Sequence, residues 1–133
     1  MARILVIDDQ KDVRSVISIV LRVNRFEVVE AANAAEGLRA FEEGQFDAAI
    51  VDVFLDDAIG FDVIAKMRAS VPDLPVIAVS GMVSLDMAPQ VEELPHVACL
   101  KKPFRPSELI AAISAAQEAA RPSRAADQRL AAV

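Results

Sequence analysis

The stretch Arg3–Arg14, RILVIDDQKDVR, runs through four branched apolar residues, Ile4 to Ile7, and then stops on two adjacent carboxylates, Asp8 and Asp9. A short continuous apolar run of this kind reads as a β-strand covered on both faces. Neighbouring negative charges repel by about 4 kcal/mol at 4 Å where the effective dielectric is near 20. The pair is therefore either solvated at a turn, where Asp also suits the start of a helix, or it has something positive between its members.

Outward from that run, strand and helix patterns alternate. Val13, Val16, Ile17, Val20 and Leu21 recur at helical spacing as a buried stripe that ends near Asn24. Glu27–Glu30 reads as a second strand, and Ala34–Glu43 as a helix closed by Gly44. Asp47–Asp52, DAAIVD, is a third strand that also stops on an acid. GFDVIAKMRAS gives a third helix, with Phe61, Ile64, Ala65 and Met67 with the Arg68 stem as its buried stripe. Leu74–Ser80 and Val97–Leu100 are the fourth and fifth strands, and PSELIAAISAAQEAA is the closing helix, with Pro106 in its first turn. Such alternation favours a parallel sheet wrapped by helices on both sides. Between Gly81 and His96 the pattern is less regular, and Pro89 and Pro95 confine a fourth helix there to two turns.

The chain has 133 residues, enough for one domain with a real core. We place that domain at residues 1–120 and read 121–133 as a flexible extension, because Pro122 breaks the helix and no apolar stripe follows. A net charge of −6 argues against a nucleic-acid binder, which would show a basic patch. One cysteine, Cys99, excludes an internal disulfide and suits a reducing compartment. Met1-Ala2-Arg3 leaves no room for a secretory signal, and no apolar run approaches a membrane span. The expectation is a cytoplasmic domain without membrane contact.

In open α/β sheets, ligands bind beyond the carboxyl ends of the strands. The first strand delivers Asp8 and Asp9 to that rim, the third Asp52, the fourth Ser80, and the fifth Lys101 and Lys102 before Pro103. Three carboxylates packed together call for a cation. Oxygen ligands alone favour a hard one, Mg2+ or Mn2+.

With these residues in this order, the chain resembles the receiver domain of bacterial two-component response regulators, the CheY-like family. The resemblance covers Arg3 to about Ala120 and rests on the Asp8-Asp9 pair, Asp52, Ser80 and the Lys102-Pro103-Phe104 triplet. It implies a flavodoxin-like (βα)5 doubly wound sheet in the order 2-1-3-4-5, here with an atypical fourth helix. It also implies that Asp52 accepts a phosphoryl group from a sensor histidine kinase or a histidine phosphotransfer protein. Mg2+ is then held by Asp9 and Asp52 directly, by Asp8 through water, and by the Phe54 backbone carbonyl. Lys102 pairs with the phosphoryl group, the peptide bond to Pro103 is cis, and Ser80 donates its hydroxyl. The backbone N–H groups of Val53 and Gly81 lie nearby. Ser80 and the position of Cys99 form the family's switch.

Several residues have plainer readings. Asp56 and Asp57 read as solvated loop acids, Lys101 as a solvated charge, His96 as a loop residue, and Cys99 as a small core hydrophobe. Others depart from the family's pattern. Cys99 has no ring to change rotamer. Phe54 is bulky beside the phosphoryl position and is expected to slow hydrolysis of the phosphoprotein. Arg105 replaces the usual cap of the closing helix. Met82, Val83, Leu85 and Met87 fall in the irregular stretch, where they either pack inward or form an adaptable surface.

The expected function is a stand-alone receiver, monomeric or weakly dimeric, that promotes only its own phosphotransfer and signals through a downstream protein or a phosphorelay. The alternative is an interaction module of the same fold that works without phosphorylation. A haloacid-dehalogenase-type phosphatase is disfavoured, because that family needs a second Asp two residues after its nucleophile and Phe54 stands there.

Overall fold

The computed structural model describes residues 2–81 and 97–120. Five parallel strands, β1 (Arg3–Ile7), β2 (Glu27–Ala31), β3 (Ala48–Asp52), β4 (Val76–Ser80) and β5 (Val97–Lys101), lie in the order β2-β1-β3-β4-β5. Helices α1 (Lys11–Val23), α2 (Ala34–Glu43) and α3 (Gly60–Ser70) and the closing helix (Pro106–Ala119) cover the two faces. This is the doubly wound order that the resemblance implies. The expected short fourth helix, the Met82–Met87 surface, His96 and the 121–133 extension all lie outside the described residues.

Strand alternation divides the core. Leu5 and Ile7, Ala49 and Val51, and Val76 and Ala78 point to one side and pack with Phe61, Val63, Ile64 and Met67 of α3. Ile4 and Val6, Ala48 and Ile50, and Ile77 and Val79 point to the other, against Ile17 and Leu21 of α1 and Leu109, Ile113 and Ala116 of the closing helix. Each large aliphatic side chain buried this way stabilises the fold by about 2 kcal/mol. Both layers are needed because β1, β3 and β4 are interior strands with both faces covered, which is why their sequences show no polar alternation.

Edges and termini account for the corrections. β5 is an edge strand with a mixed burial pattern, and Cys99 is exposed on it rather than packed in the core. Val16 of α1 points to solvent, since Ile17, Ser18 and Leu21 take the buried face. In α3, Val63 is buried and Ala65 is not, because the helix is rotated to turn Val63 inward and Ala65 outward relative to the sequence stripe. β4 begins at Val76, after Pro75, whose carbonyl accepts from Ala49 N–H at 3.0 Å. The Arg105 side chain makes no cap, but Glu108 accepts from the Arg105 N–H at 3.0 Å, so the closing helix keeps one satisfied donor at its start.

Two backbone details stand out, one at each end of the sheet. α1 ends through Asn24, whose side chain donates to Val20 O at 2.8 Å, and through Arg25 at φ 66°, a left-handed residue without glycine's freedom. Gly60 opens α3 hard against the end of β3, where an added Cβ would stand 2.8 Å from Val53 Cα. Only glycine lets that helix start so close to Asp52.

Candidate functional site

Parallel pairing brings the first two acids together. Ile7 is in register with Val51, so the next residues, Asp8 and Asp52, end neighbouring strands side by side on the same face of the sheet. Both are buried, Asp8 with 2% and Asp52 with 5% of its surface exposed. Asp9 is half-buried at the start of α1, and one carboxylate oxygen from each of the three acids lies within 4.8 Å of the others.

The positive partner is Lys102. Its Nζ stands 3.1 Å from Asp8 Oδ2 and 3.3 Å from Asp52 Oδ2, and it donates to Gln10 Oε1 at 3.2 Å. The Lys102–Pro103 peptide bond is cis. The Lys102 N–H donates to Ser80 O at 2.8 Å, tying this loop to the buried end of β4. Gly81 then lines an open cleft of about 420 Å³ with Asp9, Gln10, Asp52, Phe54, Asp56 and Lys102. Lys101 is exposed, as its solvated reading requires.

One ammonium group does not satisfy this much negative charge. Burial, and then the negative charge of Asp8, hold the Asp52 carboxyl above its ordinary range, although Lys102 and the Phe54 N–H pull the other way. Asp8 Oδ2 is buried and accepts no hydrogen bond, having only the Lys102 charge beside it. A buried carboxylate oxygen without a donor, in a set of all-oxygen ligands open to a cleft, fits a hard divalent cation.

The backbone donor differs from expectation. Val53 N–H is committed to the sheet, donating to Val79 O at 2.9 Å, and cannot also face the cleft. It is the Phe54 N–H that reaches Asp52, at 3.1 Å from Oδ1. The Phe54 side chain itself is 52% exposed at the rim.

Four residues at or near the site escaped the sequence reading. Gln10 binds Lys102 through its side chain, and its N–H donates to Asp8 Oδ1 at 2.9 Å. Arg14 donates to Asp8 O at 2.7 Å and pairs with Glu30 at 3.3 Å. Asp56 lines the same cleft as Asp9, and the neighbouring Asp9 carboxyl raises its own above the ordinary range. Asp57 was expected in solvent, but it accepts from the N–H groups of Ala34 and Ala35, the first of which chiefly holds it below that range. Only Gln10, next to the acid pair, carried a positional signal.

A doubly wound sheet in this order, with three acids and one lysine on its carboxyl rim, defines a CheY-like receiver of the flavodoxin type. The chain belongs to the response regulator receiver domain family, whose pattern matches residues 4–114. It is 35% identical over 113 residues to the transcriptional regulatory protein PrrA of Mycobacterium tuberculosis, covering 85% of this chain and 48% of that protein. It is 33% identical over 128 residues to the DNA-binding transcriptional regulator NtrC of Rhizobium meliloti, covering 95% of this chain and 26% of that one. The chain thus spans half or less of the length of these curated relatives. The crystal structure of a CheY-like receiver domain protein from Methanospirillum hungatei superposes with a TM-score of 0.85 at 28% identity, covering 92% of this chain and 98% of that one. The family serves two-component signalling, and phosphorylation and Mg2+ binding at an acidic pocket are general in it. Among the described residues, no helix is long and apolar enough to cross a membrane.

Proposed function

We propose that Asp52 accepts a phosphoryl group from the phosphohistidine of a sensor histidine kinase or a histidine phosphotransfer protein. One observation carries this reading: Asp52 is a buried carboxylate kept between a second acid, Asp8, and the Lys102 ammonium at 3.3 Å. Lys102 is shared with Asp8, so it offsets only part of the charge on Asp52 and leaves an oxygen available for attack.

In the transfer, an Asp52 oxygen forms a bond to phosphorus while the bond from phosphorus to the donor imidazole breaks. Such transfers pass through a loose transition state, so the site has mainly to position groups and offset charge. Asp9, Asp52 and the Phe54 carbonyl would hold Mg2+ or Mn2+, with Asp8 through water, and the ion supplies charge neutralisation for the equatorial oxygens. Lys102 leaves Asp52 to pair with a phosphoryl oxygen. The Phe54 N–H, aimed at Asp52 Oδ1, is placed to donate to another, and the Ser80 hydroxyl and the Gly81 N–H would close the remaining side.

The event is stoichiometric, since the chain is modified by it. We place it in the cytoplasm, where such kinases present their phosphohistidine, with output through a protein contact or onward relay. The test is incubation with acetyl phosphate and Mg2+, read by intact mass. A single added phosphoryl group on the wild type and none on Asp52→Ala is the expected result. An unmodified wild type would leave only an interaction module that works without phosphorylation.

A further inference from the structure

The loop leaving β3 is held at its far end by a carboxylate that the proposed chemistry does not use. Asp57 accepts from Ala34 N–H at 2.9 Å and from Ala35 N–H at 3.2 Å, the first two donors of α2. Helix starts leave such donors without partners of their own. Yet α2 already has a local cap: Asn33 Oδ1 accepts from Glu36 N–H at 2.8 Å, and Glu36 Oε2 from Ala32 N–H at 2.9 Å. Asp57 adds a tie from more than twenty residues away in the chain.

What that tie holds is one half of the acid site. Within the loop, Leu55 N–H donates to Ala58 O at 3.1 Å and Phe54 bridges to Ile59, so the loop moves as a short unit. Its near end carries Phe54 N–H onto Asp52, and Asp56 into the cleft that Asp9 also lines. On the other side, Asp8 N–H donates to Ala31 O at 3.2 Å, just before α2 begins. The two halves of the site are therefore tied a second time, through the short segment that joins the end of β2 at Ala31 to the first turn of α2.

We propose that Asp57 is a positioning residue, which pins the Phe54–Ala58 loop to α2 and so sets the Asp52–Phe54 half of the cation site against the Asp8–Asp9 half. The inference rests on the cation-dependent reading above. Without the tie the loop samples positions that bring Phe54 and Asp56 away from the cluster, and apparent affinity for the ion falls by the fraction of molecules still assembled.

Titration calorimetry with MgCl2 alone tests it on wild type, Asp57→Ala and Asp57→Asn. Both variants lose the same charge, but Asn keeps an oxygen that can accept one of the two bonds. The expected result is a dissociation constant raised about fivefold by Ala and about twofold by Asn. Hydrogen exchange should show the Ala34 and Ala35 amides losing protection in Asp57→Ala. Equal shifts in the two variants would reduce Asp57 to a through-space charge and overturn the proposal. A lower melting temperature with unchanged Mg2+ affinity would make it a helix cap only, and also overturn it. If the wild type takes up no Mg2+, the cation-dependent reading fails and the latch with it; wild-type uptake with unaltered variants sinks the latch alone.

Discussion

The Lys102 ammonium bridges the two buried acids of the sheet rim, 3.1 Å from Asp8 Oδ2 and 3.3 Å from Asp52 Oδ2. It is the counter-charge to both, and its removal leaves them facing each other. Lys102→Ala is expected to destabilise the metal-free protein by about 3 kcal/mol, the low end of the range for breaking a buried pair on one side. Adding Mg2+ should restore most of that loss while phosphoryl transfer stays impaired. Thermal melts with and without Mg2+, beside acetyl phosphate labelling, separate the two effects.

Asp52 gives the protein a pH dependence of definite sign. Its folded-state carboxyl titrates above the unfolded value near 3.8, so the folded chain holds the proton more tightly. Its contribution is fully present below the unfolded value and is lost as pH rises through the raised folded one. Between those limits the metal-free protein should gain stability on acidification, until other carboxylates reverse the trend. Asp52→Asn should remove this component and, at neutral pH without metal, raise the melting temperature by about 4 °C, near 1 kcal/mol. Melting curves at several pH values in EDTA provide the check. Saturating Mg2+ should reverse the ranking, since wild type gains about 2.7 kcal/mol at a hundred times its dissociation constant and the variant gains little.

The site was legible where chemistry is concentrated at strand ends. Asp8, Asp9, Asp52, Ser80 and Lys102 each follow an apolar run, and parallel pairing sends every such end to one rim. The interior strands were equally plain, because β1, β3 and β4 each carry four consecutive apolar residues, Ile4–Ile7, Ala48–Val51 and Val76–Val79. What escaped depends on tertiary facts that a linear pattern does not carry. Cys99 looks like core until β5 is known to be an edge. Val53 N–H looks available until its ladder bond to Val79 is seen. Asp57 belongs to a helix start that precedes it in the chain by more than twenty residues, beyond the reach of any local capping rule.

Two backbone positions predict opposite responses. Gly60→Ala would put a Cβ against backbone atoms of Asp52 and Val53, 2.8 Å from Val53 Cα, and backbone there yields only if the end of β3 moves. A loss of about 2–3 kcal/mol is expected, with Mg2+ binding weakened because the end of β3 must shift. Arg25, by contrast, holds φ 66° on the far side of the molecule, where glycine is the more comfortable residue. Arg25→Gly should stabilise by about 0.5 kcal/mol, net of the entropy glycine adds to the unfolded chain, and leave Mg2+ affinity unchanged. Urea denaturation of the two variants decides both signs.

Phe54 is expected to set the lifetime of the modified state. Its N–H faces Asp52 Oδ1 at 3.1 Å while its ring stands half-exposed at the mouth of the cleft, beside the direction from which water must approach. Hydrolysis needs a water in line with the bond from phosphorus to Asp52, and an apolar ring there offers it bulk and no hydrogen bond. Phe54→Asn opens that approach and supplies a polar partner, whereas Phe54→Ala only opens it. Phosphoprotein decay should quicken about tenfold for Asn and about threefold for Ala, with the labelling rate changing less. Intact mass measured over time after removing acetyl phosphate reads the decay directly, and equal lifetimes in all three proteins would show that the ring does not guard the bond.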